Sequence, residues 1–159
     1  MNKKAQLFSM DAMVASAIFV FLLVLIFTFW YSHSITFQKE KEYSLMENKA
    51  FSVSNLLIST TGRPSAWEYN LSEPETLGLA YMDKTLKKEK LDTFITLEYS
   101  QIKEKLNIEK YEFYFKLKTT EGTILYQAGN FTTAENVIST QRVVLFNKVP
   151  HIMEFALWD

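Results

Sequence analysis

Residues 12–31 read AMVASAIFVFLLVLIFTFWY, an apolar run that decides the architecture of the chain. A helix needs about 20 apolar residues to cross the hydrocarbon layer of a bilayer, and this run has that length. Trp30 and Tyr31 end the run, where aromatic side chains mark a membrane interface. No small-residue cleavage motif follows it. The run therefore predicts a retained anchor rather than a secretory signal that is removed.

The charges on either side of the run predict its orientation. Lys3 and Lys4 precede it, whereas the flank beyond it, KEKE at residues 39–42, is charge-balanced. Because basic residues favour the cytoplasmic side, we expect a cytoplasmic amino terminus and an extracytoplasmic carboxy-terminal domain. The sequence thus predicts a single-pass protein of the cell membrane, with the lipid bilayer as its first partner.

Asp11 is the acid that stands directly before the run. A carboxylate there suits the positive end of a helix dipole and needs no further partner. The stretch KKAQLFSMD, followed at once by the apolar run, also resembles the class III signal peptide of type IV pilins and archaeal pilin-like proteins. The resemblance implies that a prepilin peptidase removes a short basic leader, residues 1–6, on the cytoplasmic side. The apolar helix is then kept as the anchor or the core of a surface filament.

The same resemblance implies the residues of processing and assembly. In the family, an acid at the fifth position of the processed chain neutralises the terminal amine of a neighbouring pilin-like subunit, which gives Asp11 an assembly role. Cleavage after Gln6 makes Leu7 the first residue and Asp11 the fifth. Cleavage after Ala5 makes Asp11 the sixth. Ala5 stands where the family usually has glycine, and Asp11 where it usually has glutamate.

Beyond an anchor with its outer flank at residues 7–38, residues 39–159 predict one extracytoplasmic α+β domain. Nothing between Met13 and Thr61 is Pro or Gly, so the anchor helix is expected to continue to a left-handed cap at Gly62. Its buried stripe is expected at Tyr43, Met46, Ala50, Val53 and Leu57. A long helix beneath a sheet is the layout of a pilin, and a soluble stalk or coiled coil is the alternative.

The segment after this helix, GRPSAWE at residues 62–68, reverses the chain. It resembles a G-x-P-x-x-W-E segment of archaeal pilin-like proteins, and we interpret it as architecture rather than a site. Residues 69–85 predict a loop, and residues 91–106 predict a second amphipathic helix with lysines and glutamates on its polar face. Period-two alternation predicts an antiparallel sheet of about four strands, at residues 110–118, 123–127, 137–146 and 152–158.

The rest of the sequence offers little chemistry. It has no cysteine and two histidines, and it lacks the zinc, phosphate-loop, dinucleotide and nucleophile-elbow motifs. We therefore predict no enzyme activity, no cofactor and no catalytic or metal residues, and the net charge of −1 gives no case for nucleic acid. Asn70 and Asn130 begin N-x-S/T sequons and are candidate glycosylation sites.

Two functions fit these observations. The first is a pilin-like structural subunit, a minor or accessory component of a type IV pilus-like surface assembly. The second is a single-pass, membrane-anchored binding domain that does not polymerise. The amino terminus of the native protein distinguishes them, because only the first requires cleavage near Ala5 or Gln6.

Overall fold

The computed structural model describes residues 3–69, 74–130 and 136–159, with side chains from Met10 onwards. Tertiary contacts divide the chain into two compact units, of which the first ends at Glu42 and the second is Tyr43–Asp159. Helix α1, Lys3–Ser59, contributes residues to both units. The prediction of one uninterrupted amino-terminal helix is confirmed.

The second unit adds a sheet with short helices. In the described residues its elements are β1 (Ala80–Met82), β2 (Thr85–Leu86), α2 (Lys88–Phe94), α3 (Tyr99–Lys105), β3 (Glu112–Thr119), β4 (Ile124–Gly129), β5 (Ile138–Phe146) and β6 (Val149–Trp158). The strand order is β1-β2-β5-β6-β3-β4. Strands β2 and β5 are parallel, and the other pairs are antiparallel. The α+β class is confirmed, but the sheet is mixed and has six strands instead of about four.

The two additional strands lie in the segment that was predicted to be a loop. Strands β1 and β2 are three and two residues long, too short for an alternating pattern. Their neighbourhood is fixed by bonds to the end of α1. The Leu79 N–H donates to the Leu57 carbonyl at 2.9 Å, and the Lys84 N–H donates to the Ile58 carbonyl at 2.8 Å. These partners are distant in sequence, so no local pattern predicts them.

The same bonds explain where α1 ends. A helix leaves its last carbonyls without intrahelical partners, and here backbone N–H groups from the β1–β2 segment supply donors. The helix therefore ends at Ser59, three residues before the predicted cap. Gly62 is left-handed as predicted, with φ of 77°, but it shapes the following turn rather than closing the helix.

The predicted second helix is two helices, α2 and α3. The break follows from residues 93–97, where β-branched side chains weaken the helix. The carbonyl of Thr93 accepts both the Thr96 N–H at 3.0 Å and the Thr96 hydroxyl at 2.7 Å. This local turn competes with the helical bond pattern. The apolar stripe expected for this helix was Leu91, Ile95, Tyr99, Ile102 and Leu106. Leu91, Ile102 and Leu106 are buried, whereas Tyr99 is half-buried and Ile95 is 41% exposed.

The core lies between one face of the sheet and the helices. Four of the five predicted stripe positions of α1 are buried: Met46, Ala50, Val53 and Leu57. Tyr43 is 49% exposed, because the packed layer covers α1 only from Met46 onwards. Aromatic contacts hold α2 and α3 to β3, with ring centroids of Phe94 and Phe115 5.2 Å apart. At the other face, period-two alternation places Tyr114 on the polar side of β3, but it is buried beside Ala156 and Trp158.

Candidate functional site

The apolar segment of α1 is a surface rather than a core. Every side chain from Met10 to Leu45 is exposed, although the segment contains Phe, Leu, Ile and Val throughout. A large apolar side chain that stays in water does not contribute the about 1.5–3 kcal/mol of stabilising free energy that its burial would give. A helix buried in a soluble core does not have this exposure. By length and composition this helix can cross a membrane, and it supports a single-pass anchor.

The charges around this segment suit a bilayer. No side chain from 12 to 38 carries a formal charge when His33 is neutral, and at 1.5 Å per residue this stretch extends about 40 Å. The hydrocarbon layer is about 30 Å thick, so this stretch is long enough to cross it without a charged side chain inside it. Asp11 lies in α1 directly before this stretch and is exposed.

The hydroxyls of Ser16 and Thr28, inside the apolar run, are satisfied by the helix itself. The Ser16 hydroxyl donates to the Ala12 carbonyl at 2.8 Å, and the Thr28 hydroxyl donates to the Val24 carbonyl at 2.6 Å. Both bonds connect residues four positions apart. Polar groups in lipid need internal partners, since the hydrocarbon offers none. The two hydroxyls therefore do not oppose a membrane location.

The other predicted site residues are located as follows. Ala5, Gln6 and Leu7 lie in the first part of α1, and their side chains are outside the described atoms. Asn130 follows β4 and is exposed, so its amide is accessible. Asn70 is outside the described residues. The roles of Asp11, Asn70 and Asn130 stay predictions.

The turn at residues 62–68 is built around a buried indole. Trp67 is 1% exposed, and its indole N–H donates to the Gly78 carbonyl at 2.9 Å. A Cβ at Gly62 would lie 2.7 Å from Cδ1 and Nε1 of this ring. The same position has positive φ, which side chains adopt rarely. The glycine and tryptophan of the segment thus depend on each other, in agreement with an architectural role.

A buried ion cluster follows the indole. The Glu68 carboxylate is 1% exposed and the Lys90 side chain 2% exposed, with Nζ and Oε2 3.6 Å apart. Lys87 Nζ donates to Glu68 Oε1 at 2.6 Å from a more exposed position. Lys90 also donates to the carbonyls of Thr61 and Ser65, the latter at 2.7 Å. The cluster therefore joins the turn after α1 to helix α2.

Opposing effects set the protonation of this cluster. Burial raises the pKa of Glu68, but the Lys87 hydrogen bond and the Lys90 charge outweigh it, and the pKa lies below its usual value. Burial lowers the pKa of Lys90, and Glu68 only partly compensates. The hydrogen bond to Glu68 raises the pKa of Lys87. At neutral pH Glu68 is ionised and balances the buried ammonium.

Sequence reasoning missed this cluster. Lys90 directly precedes the predicted helix at residues 91–106, and a buried lysine is rare without a partner. Glu68 is the acid of the quoted W-E pair and was the only available signal. Its partner lies 22 positions later, so the spacing gave no indication of contact. The geometry indicates a structural cluster, because Lys90 Nζ is surrounded by two backbone carbonyls and the Glu68 carboxylate, and Glu68 Oε1 accepts from Lys87.

Histidines and acids elsewhere in the described part of the chain offer no metal site. Within residues 10–69, 74–130 and 136–159, no group of three or more His, Asp or Glu side chains has a metal-binding arrangement. His151 is buried and its Nδ1 is 2.9 Å from the Val149 carbonyl. Phe29 packs edge-on against His33 within α1, with centroids 5.0 Å apart.

No family model, curated protein sequence or solved structure matches the chain.

Proposed function

We propose that this protein is a membrane-anchored, pilin-like structural subunit, a minor or accessory component of a type IV pilus-like surface assembly. The observation that carries the proposal is the fully exposed apolar helix joined to a sheet domain. The helix supplies the anchor, and the sheet domain lies outside the cell. The role is structural and not enzymatic, in keeping with the use of the buried ion cluster for architecture.

The leader gives this proposal its specific content. A prepilin peptidase cleaves the chain after Ala5 or after Gln6 and so removes the basic leader. The amino terminus before cleavage is cytoplasmic. Asp11 then neutralises the terminal amine of a neighbouring subunit. The physical reason is that an unpaired charge in lipid or in a dry helix bundle is costly, whereas a paired one is tolerated.

Mass spectrometry of the native protein extracted from its membrane tests the processing step. The expected mass corresponds to a chain that begins at Gln6 or Leu7. An intact amino terminus, or a cut after residue 30, would contradict the pilin-like function. An intact, retained anchor would favour the second candidate, a binding domain that does not polymerise.

Replacement of the acid tests the assembly step separately. Asp11→Ala is expected to reduce the amount of protein in sheared surface fractions while carbonate extraction still finds it in the membrane. Asp11→Glu is expected to retain assembly, because it keeps the charge. Asp83→Ala, which removes an exposed acid in the turn between β1 and β2, is the matched control. If Asp11→Ala assembles as well as the control, Asp11 has no role in assembly and only interacts with the dipole at the start of the helix.

A further inference from the structure

Strand β4 is an open edge of the sheet. It pairs with β3 on one side, from Tyr114↔Gly129 to Lys118↔Ile124. It stands last in the strand order, and among the described residues no strand pairs with its other side. An edge strand directs alternate backbone N–H and C=O groups outward, and these groups favour another strand.

The side chains of β4 do little to prevent such pairing. Proteins usually protect edges with charged residues or proline, and ILYQAG at residues 124–129 has neither. Ile124 and Leu125 are 46% and 42% exposed. A register shift opposite Leu117 and Lys118 makes the ladder irregular at the Ile124 end. The remaining residues, 126–129, keep a regular register and can accept a partner strand.

The opposite edge of the sheet is not a matching partner for β4. Strand β1 has three residues, and the Ala80 N–H already donates to the Thr60 carbonyl at 3.1 Å. The charged pair Asp83 and Lys84 follows it directly. A head-to-tail contact between β1 and β4 therefore has little backbone to use. On the same side of the sheet, β2 pairs only with Leu145 and Phe146 of β5, and the charged Arg142 in the remainder of β5 opposes pairing there. A contact of β4 with itself has the full regular segment on both sides.

We propose that β4 pairs antiparallel with β4 of a second copy of this chain, across a two-fold axis near Gln127. Such a contact is self-complementary, because the same strand supplies both halves. No like charges meet across it, since β4 is uncharged. It joins the two sheets into one. The pairing does not depend on cleavage of the leader or on Asp11.

Disulfide trapping in native membranes tests the contact in the full chain. The protein has no cysteine, so each single-cysteine variant reports one position without background. Opposed residues in an antiparallel ladder have Cα atoms about 4.5–5.5 Å apart, which lies within the range of disulfides. With copper–phenanthroline as oxidant, Gln127→Cys is expected to yield covalent dimer. A scan through residues 124–128 is expected to show one maximum.

The control lies on an inner strand. Leu145 in β5 is 43% exposed, but it pairs with β2 at Thr85 on one side and with β6 at Pro150 on the other, so Leu145→Cys is expected to give no dimer above background. Addition of Leu125→Lys to the Gln127→Cys variant is expected to lower its dimer yield at least about fivefold, because a charged side chain on an edge strand opposes pairing with another strand. Leu145→Lys in the same background is expected to leave the yield unchanged.

Several results would overturn the proposal. Equal yields from Gln127→Cys and Leu145→Cys would show that the edge does not pair. Insensitivity to Leu125→Lys in a chain with an unchanged circular dichroism spectrum would do the same. Trapping of a different protein at Gln127→Cys, in place of a dimer of this chain, would show that the edge has another occupant.

Discussion

Replacement of Glu68 by Gln is expected to lower the free energy of unfolding of the sheet domain by about 3 kcal/mol, because it leaves a buried charge without its counterion. The substitution keeps the side-chain shape and an oxygen that accepts from Lys87. It removes the charge that balances Lys90, whose side chain is 2% exposed. A buried ammonium is costly unless it is paired.

The magnitude follows from the geometry of the cluster. For charges 3.6 Å apart, an effective dielectric constant of about 20 gives an attraction of about 4–5 kcal/mol. Part of this is not lost, since Lys90 keeps its hydrogen bonds to the carbonyls of Thr61 and Ser65. Lys90 can also release its proton, because burial already lowers its pKa. The net loss of unfolding free energy is therefore smaller than the full attraction, and we expect Tm to fall by roughly 10 °C.

Urea unfolding of the full chain in detergent measures this cost through tryptophan fluorescence, which Trp67 reports from within the turn. Glu75→Gln is the matched control, because its partner Arg63 lies 3.1 Å away in an exposed pair. The control is expected to cost less than about 1 kcal/mol.

A double-mutant cycle isolates the pair. Glu68→Gln combined with Lys90→Met is expected to be less destabilised than the sum of the single variants, with a coupling of at least about 1.5 kcal/mol. Equal stability losses in Glu68→Gln and Glu75→Gln, or additivity in the cycle, would refute the reasoning.

Two further predictions concern the turn at residues 62–68 and the stability of the domain at acidic pH. Gly62→Ala is expected to cost at least about 2 kcal/mol in urea unfolding, because a Cβ meets the Trp67 ring and φ is positive. Gly122→Ala is expected to cost about 1 kcal/mol, since its φ is also positive but no atom lies within 4 Å of the added Cβ. On acidification, the urea midpoint is expected to hold down to about pH 4.5 and to fall below it, because carboxyls whose pKa values are lowered by folding lose their stabilising ionisation. Four groups contribute: Glu68, Asp92, Glu112 and Glu154. A urea midpoint that increases as the pH is lowered below 4 would contradict the expected direction of this effect.

Periodicity predicted the longer elements of the fold well. Strand β5 begins at Ile138 and ends at Phe146, close to the expected 137–146. Strand β6 begins at Val149, three residues before its predicted start, because the two residues before it, Asn147 and Lys148, both have positive φ and form the turn. Long amphipathic segments carry their own pattern, so neighbours elsewhere in the chain change only their ends.

The candidate site divides in the same way. The apolar helix was evident from composition, and its exposure in the structure agrees with an anchor. The ion cluster was not evident from the sequence, because the burial of Lys90 depends on a turn that lies 25–29 residues earlier in the chain. Whether a lysine is solvated or buried is a property of its surroundings, and the local sequence reports only the helix face.

By itself, the sequence determined the long apolar helix, the α+β class and the position of an acid at the start of the apolar run. Each depends on composition or local period, which needs no knowledge of distant contacts. The tertiary structure alone decided the six-stranded order, the bonds that end α1, the buried pair of Glu68 and Lys90, and the open edge at β4. These features arise where residues far apart in sequence meet, because backbone pairing and burial are decided by the packed chain and not by any one segment.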